Sequence, residues 1–183
     1  KNSLLMAHKF VAMLPGGEAP EYTEGREGYY WVKQLAGNSA RTVLKMDVRD
    51  FTEKGYAHRM AFLKQLSEYC EGLWGEGSVT CKLADRYANV FNSLQGDNRY
   101  PIDIAVAAYE ANGITPRPTP MRGGYDGAAL SQNGLPCPNI FTGAHNFHSI
   151  YEYLPVKSLY AASDVLKSVV KITAERFAPG VKA

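Results

Sequence analysis

Cysteine is scarce in this sequence, and the three residues present, Cys70, Cys81 and Cys137, follow no CxxC spacing. An odd number of isolated cysteines argues against a disulfide framework and against a cysteine zinc site. The simplest interpretation is a set of reduced thiols, which predicts a cytoplasmic protein. Cys137 lies between two prolines in an apolar setting, so we interpret it as structural, because a reactive thiol needs an electropositive and accessible environment.

Long apolar runs and runs of one charge are also missing. No stretch approaches the ~20 apolar residues that a membrane-spanning helix needs, and no basic-then-apolar leader opens the sequence. The formal net charge is +2, and no Lys/Arg run has the length typical of a nucleic-acid or membrane patch. We therefore expect neither nucleic acid nor membrane as a partner. The sequence also lacks a P-loop, a dinucleotide Gly motif and a Gly-x-Ser-x-Gly elbow.

The first half of the sequence has the periodicity of a small α+β domain. Apolar residues at helical spacing predict two helices, and aromatic and β-branched runs on either side of Gly37-Asn38 predict a β-hairpin. A third, alternating run predicts a further strand. The predicted helices cover residues 2–14 and 52–74, and the predicted strands cover residues 28–35, 41–48 and 78–84.

The resulting order, α-β-β-α-β, is one strand short of the split β-α-β-β-α-β module, in which two helices pack on an antiparallel sheet. The missing strand would precede Lys1. The sequence begins at Lys1 without Met, inside a helical pattern, and we interpret this start as a cut. We expect residues 1–90 to form one domain.

Residues 91–183 alternate helical patterns with short apolar runs. This alternation predicts helices over 101–112 and 156–177 and parallel strands at 119–121 and 139–141. Two short strands are few for a domain, so we expect these residues to be the closing part of a larger α/β layer. The fold class predicted for the whole chain is α/β.

Residues 119–153 contain Arg, paired Gly, Asp and two His in a segment with little periodicity, which is typical of an active-site rim. His148 is a metal ligand or, as loop histidines more commonly are, a capping or surface residue. His145 is a second ligand, a substrate contact or a wall of the pocket. Asp126 either caps the helix that it precedes or contacts a ligand.

Two arginines have the same pair of interpretations. Arg49, at the end of a predicted strand, either binds a peptide carboxylate in a bidentate fork or forms a local ion pair, and the ion pair is the commoner case. Arg122 is followed by Gly123 and Gly124, whose exposed backbone N–H groups favour an anion-binding nest.

Several motifs resemble, in order and spacing, the C-terminal half of peptidase T, a tripeptide aminopeptidase of the co-catalytic zinc exopeptidase superfamily. The motifs are EAPEYTEGREGYY, DVRDF, DRYANV, MRGGYDGAALSQNGLPCPNIFTGAHNFH and HSIYEY. The resemblance implies that the first 90 residues are the family's lid, or dimerisation-type, domain without its first strand. It implies that residues 91–183 are the C-terminal portion of the zinc peptidase catalytic domain.

The resemblance also implies roles for individual residues. His148 matches the family's last zinc ligand, and Arg49 matches a lid arginine that anchors substrate. The remaining predicted substrate-binding residues line the cleft: Arg122, Gly123, Gly124, Asp126 and His145. Tyr125 departs from the family, which usually has Thr at this position.

The resemblance implies that the family's other metal ligands and its general base come from a His-x-Asp motif, a Glu-Glu pair and a further Asp, all upstream of this chain, and neither motif occurs here. A catalytic zinc needs three protein ligands, and the chain supplies one of those for the family's two zinc ions. We therefore predict no catalytic residue in this chain and no peptidase activity from the chain alone. Its predicted partners are a peptide substrate and either the missing N-terminal half or a second copy. The alternative is a non-catalytic dimerisation or peptide-binding module derived from such a peptidase.

Overall fold

The computed structural model describes residues 1–86 and 88–178, which form two compact units. The first unit contains residues 1–89 and 120–123, and the second contains residues 90–119 and 124–183, within the described ranges. The identification of the units as a lid and part of a catalytic domain stays a prediction.

The first unit begins with helix α1, Ser3–Ala12, whose N-cap is Asn2. The Asn2 side-chain oxygen accepts hydrogen bonds from the backbone N–H groups of Leu4 and Leu5, which would otherwise lack partners. A short 3₁₀ turn follows at Pro20–Tyr22. The helix predicted over residues 2–14 is confirmed.

The hairpin consists of β1, Tyr29–Gly37, and β2, Thr42–Arg49, paired antiparallel. Its turn is stabilised by the Asn38 side chain, which accepts from the backbone N–H groups of Ala40 and Arg41. The register is irregular between Val32 and Gln34. The predicted hairpin is confirmed.

The second helix, α2, Glu53–Trp74, begins at Thr52, whose hydroxyl accepts from the Gly55 backbone N–H, and ends at Gly75. Gly75 has a φ of 102°, a conformation that glycine adopts at little cost. The helix predicted over residues 52–74 is confirmed. Tyr30 of β1 packs its ring 5.9 Å from that of Phe62 of α2, so one sheet face is covered by this helix. The buried side chains of this core are Tyr30, Leu63, Leu66 and Cys70.

The second unit is helical in its described part. It contains α3, Val90–Ser93, then a 3₁₀ turn at Gly96–Arg99, α4, Tyr100–Ala111, α5, Asp126–Gln132, and α6, Val156–Phe177. Helix α4 packs against α6, and α3 packs against α5. The helices predicted over residues 101–112 and 156–177 are confirmed. The buried core residues are Leu94, Ile104, Ala105, Ala108, Ala128, Ala162 and Val165.

Three predicted strands, at residues 78–84, 119–121 and 139–141, are wrong. These segments lie outside every helix and strand of the structure, and residues 80–84 are exposed. A strand gains its stability from a hydrogen-bonded neighbour, and the described sheet contains only β1 and β2. A segment of alternating apolar and polar residues that lacks such a neighbour cannot form the inter-strand hydrogen bonds of a sheet. The structure is thus mixed α/β with one two-stranded sheet.

None of the helices in the described ranges combines the length and apolarity required to cross a bilayer. The three cysteines are free: Cys70 is buried, Cys81 is exposed and Cys137 is intermediate.

Candidate functional site

Arg49 is the last residue of β2 and lies on the sheet face opposite Tyr30. The register pairs Tyr29 with Arg49 and Trp31 with Asp47, and residues two apart share a face. We call this side of the hairpin, with Tyr29, Trp31, Lys45, Asp47 and Arg49, the Arg49 face. The end of the strand therefore places the Arg49 guanidinium beside the Tyr29 side chain.

The Arg49 guanidinium has two neighbours in the first unit. Its Nη1 donates to the backbone carbonyl of Arg122 at 2.8 Å, and its Nη2 lies 3.8 Å from the Asp47 carboxylate. The Arg49 side chain is 26% exposed. A guanidinium carries five N–H donors. The local ion pair predicted as the commoner interpretation is present, and it leaves donors available for a ligand.

Arg122 lies on the segment 120–123 that belongs to the first unit. Its guanidinium donates to the Thr23 hydroxyl at 2.6 Å and to the Glu27 carbonyl at 3.1 Å, and it lies 4.7 Å from the centre of the Tyr29 ring. Its carbonyl accepts from the Tyr29 hydroxyl at 3.0 Å as well as from Arg49. The structure therefore brings Arg49 and Arg122 together, and the Arg122 side chain is bound to the protein itself.

Tyr29 and Thr23 are members of this cluster that the sequence did not point to. Tyr29 is buried. Its hydroxyl donates to the Arg122 backbone carbonyl, and its ring lies against the Arg122 guanidinium. In the sequence Tyr29 is one of several aromatic residues in a strand, and no local signal distinguishes it. Gly123 adjoins the cluster, and a Cβ at this glycine would meet only the Met121 side chain, at 3.8 Å.

Charged side chains follow one another along the Arg49 face. The Asp47 carboxylate also accepts from Lys33 Nζ at 3.2 Å, and Lys33 lies 5.1 Å from the centre of the Trp31 ring. Asp47 is therefore flanked by two cations. This arrangement neutralises the carboxylate and leaves the face with an excess of positive charge near Arg49, which favours an anionic ligand.

His145 and His148 lie in the second unit, on a compact loop that closes on itself. His145 and Tyr153 exchange backbone hydrogen bonds of 2.9 and 3.3 Å, and their rings stack with centres 5.1 Å apart. The Asn146 side chain donates to the Tyr151 carbonyl, which closes the loop further. Because its ring stacks on that of Tyr153, the His145 side chain is held in place at the side of the loop.

His148 lies at the tip of this loop with a φ of 64°, a left-handed conformation that is uncommon outside glycine. Its backbone N–H donates to the Glu152 carboxylate at 3.1 Å, and its side chain is exposed. Glu152 therefore fixes the loop backbone. An unusual backbone conformation held by such a contact is a feature of ligand-binding loops.

Asp126 is the first residue of α5, so it does not precede the helix as the sequence suggested. The N-cap is Tyr125, which makes no side-chain cap, and Asp126 lies in the first turn, where a carboxylate is favourable. The Tyr125 hydroxyl donates to the Cys137 carbonyl at 3.3 Å, and burial raises the pKa of Tyr125. A Cβ at buried Gly127 would overlap the Tyr125 ring. Gly124 directly precedes this packed pair in the chain.

The described residues do not form a complete metal site. They contain no group of three or more His, Cys, Asp or Glu side chains placed to hold a metal ion. A catalytic zinc needs three protein ligands, so the donor set around His148 does not fit a working zinc centre. A single exposed imidazole is chemically suited to supply one ligand of a site completed by other residues.

Comparison with curated proteins identifies relatives over almost the whole chain. A peptidase T of Clostridium perfringens is 41% identical over 175 residues, which are 96% of this chain and 43% of that protein. A peptidase T of Halothermothrix orenii is 39% identical over 176 residues, with the same two shares, 96% and 43%. The chain thus spans less than half the length of these relatives. No protein-family model matches it.

Two solved structures have a similar fold. The crystal structure of aminopeptidase PepT from Bacillus cereus superimposes with a TM-score of 0.66 at 18% identity, over 94% of this chain and 46% of that one. A tripeptidase from Staphylococcus aureus gives a TM-score of 0.62 at 18% identity, over 95% of this chain and 46% of that one. At this identity the likeness concerns the fold alone.

Proposed function

We propose that this chain, a member of the peptidase T family, supplies the substrate-anchoring lid surface and one zinc ligand of a tripeptide aminopeptidase. The proposal starts from the family relationship at 41% identity and from the arginine cluster on the hairpin. The chain spans 43% of that relative, so the remaining metal ligands and the general base come from residues outside it. Alone, the chain is inactive.

In this proposal Arg49 binds the carboxylate of the peptide. The assignment rests on the closest contact of the Arg49 guanidinium. Its Nη1 group donates to the backbone carbonyl of Arg122 at 2.8 Å, and not to a carboxylate. A carbonyl orients the guanidinium without neutralising it, so a bidentate carboxylate contact is still possible. Arg122, Gly123 and Tyr29 shape the surface around it.

The second unit contributes His148 as the single zinc ligand, with His145, Asp126 and Gly124 near the substrate. His148 is supported by its exposed position at the tip of a closed loop. Zinc in the complete family site would polarise a bound water and a carbonyl group. In this proposal the described residues supply one ligand, so no catalytic step is assigned to them. The free cysteines are consistent with a reducing, cytoplasmic setting.

The test is complementation. The chain would be mixed with the N-terminal portion that it lacks relative to the Clostridium perfringens peptidase T, with zinc added, and tripeptide hydrolysis measured. We expect hydrolysis from the mixture and none from either part alone. His148→Ala should abolish it, and Arg49→Lys should raise KM about tenfold, since lysine loses the bidentate contact.

Arg41→Lys is the matched control, because Arg41 is exposed just before β2 and has no ion-pair partner within the described residues. It should leave KM unchanged. A folded, zinc-loaded mixture that hydrolyses no tripeptide would refute the proposal, as would hydrolysis that His148→Ala does not alter.

A binding module without catalysis is the second candidate, and the partly exposed Arg49 guanidinium, which can bind a carboxylate without a metal, favours it. In that case the chain alone would bind tripeptides through Arg49 or associate with itself through the lid. Calorimetric titration of the chain with a tripeptide tests this function. Binding that Arg49→Met abolishes, together with no hydrolysis in the mixture, would support the module over the peptidase.

A further inference from the structure

We propose that Lys33 is a positioning residue that holds the Asp47 carboxylate away from Arg49, so that the Arg49 guanidinium stays open to the carboxylate of a peptide. The inference rests on the proposed function of Arg49 and deepens it, because it identifies what controls access to that guanidinium. All three residues belong to the first unit.

The Asp47 carboxylate lies between two cations and bonds to only one of them. Its Oδ2 atom accepts a hydrogen bond from Lys33 Nζ at 3.2 Å and lies 3.8 Å from Arg49 Nη2. The second distance is too long for a hydrogen bond. The Asp47 side chain is 18% exposed, so water screens these charges only in part. Lys33 therefore decides on which side of this pair the carboxylate lies.

The irregularity of β1 places Lys33 where it reaches Asp47. Trp31 pairs with Asp47 across the hairpin. Two residues further along, an uninterrupted ladder would put Lys33 opposite Lys45, and like charges directly opposite each other are destabilising. Instead Gln34 pairs with Lys45, which leaves Lys33 as the extra residue of the irregularity. The shift in register removes a repulsion and directs the Lys33 side chain to the carboxylate.

The Trp31 ring fixes the other side of the Lys33 ammonium group. Lys33 Nζ lies 5.1 Å from the centre of this ring, within the range of a cation–π contact. The Lys33 side chain is 40% exposed, yet its charged end has both an aromatic and a carboxylate neighbour. Two contacts of different kinds hold the ammonium group beside Asp47.

Without the Lys33 charge, Arg49 is the cation that remains beside Asp47. A carboxylate and a guanidinium at this separation can approach and form a strong, bidentate contact. A carboxylate of the same chain competes with that of a peptide at a high effective concentration. Lys33 therefore favours peptide binding without contacting the peptide, whereas Asp47 opposes it.

This arrangement predicts opposite effects of two substitutions on KM in the complemented mixture. Lys33→Met should raise KM for a tripeptide about three- to fivefold and leave kcat unchanged, because the carboxylate contact is the same in the ground and transition states. Asp47→Asn should lower KM about twofold. The double variant should have the KM of Asp47→Asn. A KM unchanged in Lys33→Met, or a double variant as weak as Lys33→Met, would overturn the inference.

Lys45→Met is the matched control. Lys45 is exposed on the same face, but of these two lysines it is Lys33 that pairs with Asp47. Both substitutions remove one positive charge from the Arg49 face, and we expect Lys45→Met to leave KM unchanged. An equal rise in KM would mean that the general field of the face attracts the peptide, which would refute the role of the Asp47 contact.

Nuclear magnetic resonance tests the contact in the chain alone, without zinc or hydrolysis. The guanidinium resonances of Arg49, assigned with Arg49→Lys, should shift in Lys33→Met, and Asp47→Asn in that background should reverse the shift. Acetate is the carboxylate probe: it should perturb these resonances at about a three- to fivefold lower concentration in the unsubstituted chain than in Lys33→Met. Unshifted resonances, or equal acetate dependence, would overturn the inference. An inactive mixture would count against the proposed function alone, since this measurement needs no hydrolysis.

Discussion

Asp50 is a single residue that connects the hairpin to α2. Its carboxylate accepts from the Thr52 backbone N–H at 2.8 Å and from Arg59 Nε at 3.1 Å, and Arg59 also pairs with Glu18. Desolvation raises the pKa of Asp50, but the hydrogen bonds from Thr52 and Arg59 outweigh it, so the pKa lies below its ordinary value. Asp50 therefore contributes stability above the pKa of the unfolded chain and loses that contribution as pH falls.

Gly55 of α2 lies against this carboxylate, and a Cβ at Gly55 would overlap it. Gly55→Ala should therefore destabilise the chain by about 1–3 kcal/mol, because Asp50 must give up contacts to make room. Gly72, in the same helix, has nothing within 4 Å of its would-be Cβ, so Gly72→Ala should stabilise by up to about 1 kcal/mol. Urea unfolding compares the two. Effects of the same sign would refute the steric explanation.

Tyr56 gives a pH prediction. Burial, and then the hydrogen bond to Asp85 at 2.6 Å, raise the pKa of Tyr56 from 10.0 to about 12. Because the folded pKa is the higher one, its stabilising contribution is complete below pH 10 and is lost as pH rises to about 12. In an absorbance titration, Tyr56→Phe should remove one late-titrating phenol, and Asp85→Asn should lower its midpoint. A late phase unchanged in Tyr56→Phe would contradict the assignment.

In the candidate site, the sequence predicts where some residues lie in the fold but not which residues they contact. The sequence predicts Arg49 at the end of a strand, and β2 ends at this residue, because alternation and the hairpin turn are local signals. The partners of Arg122 could not be predicted, since Thr23, Glu27 and Tyr29 are more than 90 positions away from it. Contacts of this kind depend on tertiary packing, which no local periodicity encodes.

At the scale of elements, the packing of α4 against α6 supports a sharp comparison. Val165 of α6 is fully buried, whereas Val170 of the same helix is 70% exposed. Val165→Ala should cost about 1.5–3 kcal/mol from lost burial and the cavity left behind, and Val170→Ala should change stability by less than about 0.5 kcal/mol. Denaturant unfolding followed by circular dichroism measures both. Similar losses in the two variants would show that α6 does not pack through the Val165 side.

The predicted elements divide by where their stability comes from. The helices over residues 52–74 and 156–177 and the hairpin are specified by local signals such as caps, periodicity and a turn, and all are present. The strand predicted at residues 78–84 is absent, because a strand is completed by a neighbour that its own sequence does not provide. Alternation alone therefore overpredicts strands.

At the scale of the molecule, the chain passes through the second unit and returns to the first at residues 120–123 before leaving it again. The return is anchored by the Arg122 side chain, which donates to the Thr23 hydroxyl and the Glu27 carbonyl and lies over the Tyr29 ring. The first unit is thus built from two separate stretches of chain. Its stability should depend on a residue far from the hairpin in sequence.

Arg122→Ala should therefore destabilise the first unit by about 1–2 kcal/mol. The substitution removes two hydrogen bonds and a cation–π contact, and water compensates for part of that loss. Native-state hydrogen exchange should show amides of β1 and β2 losing protection about 5–30-fold, while amides of α4 and α6 keep theirs. Arg117→Ala is the control, because Arg117 is exposed and has no partner among the described residues. Equal loss in both units, or the same loss from Arg117→Ala, would mean that Arg122 does not anchor the returning segment to the hairpin.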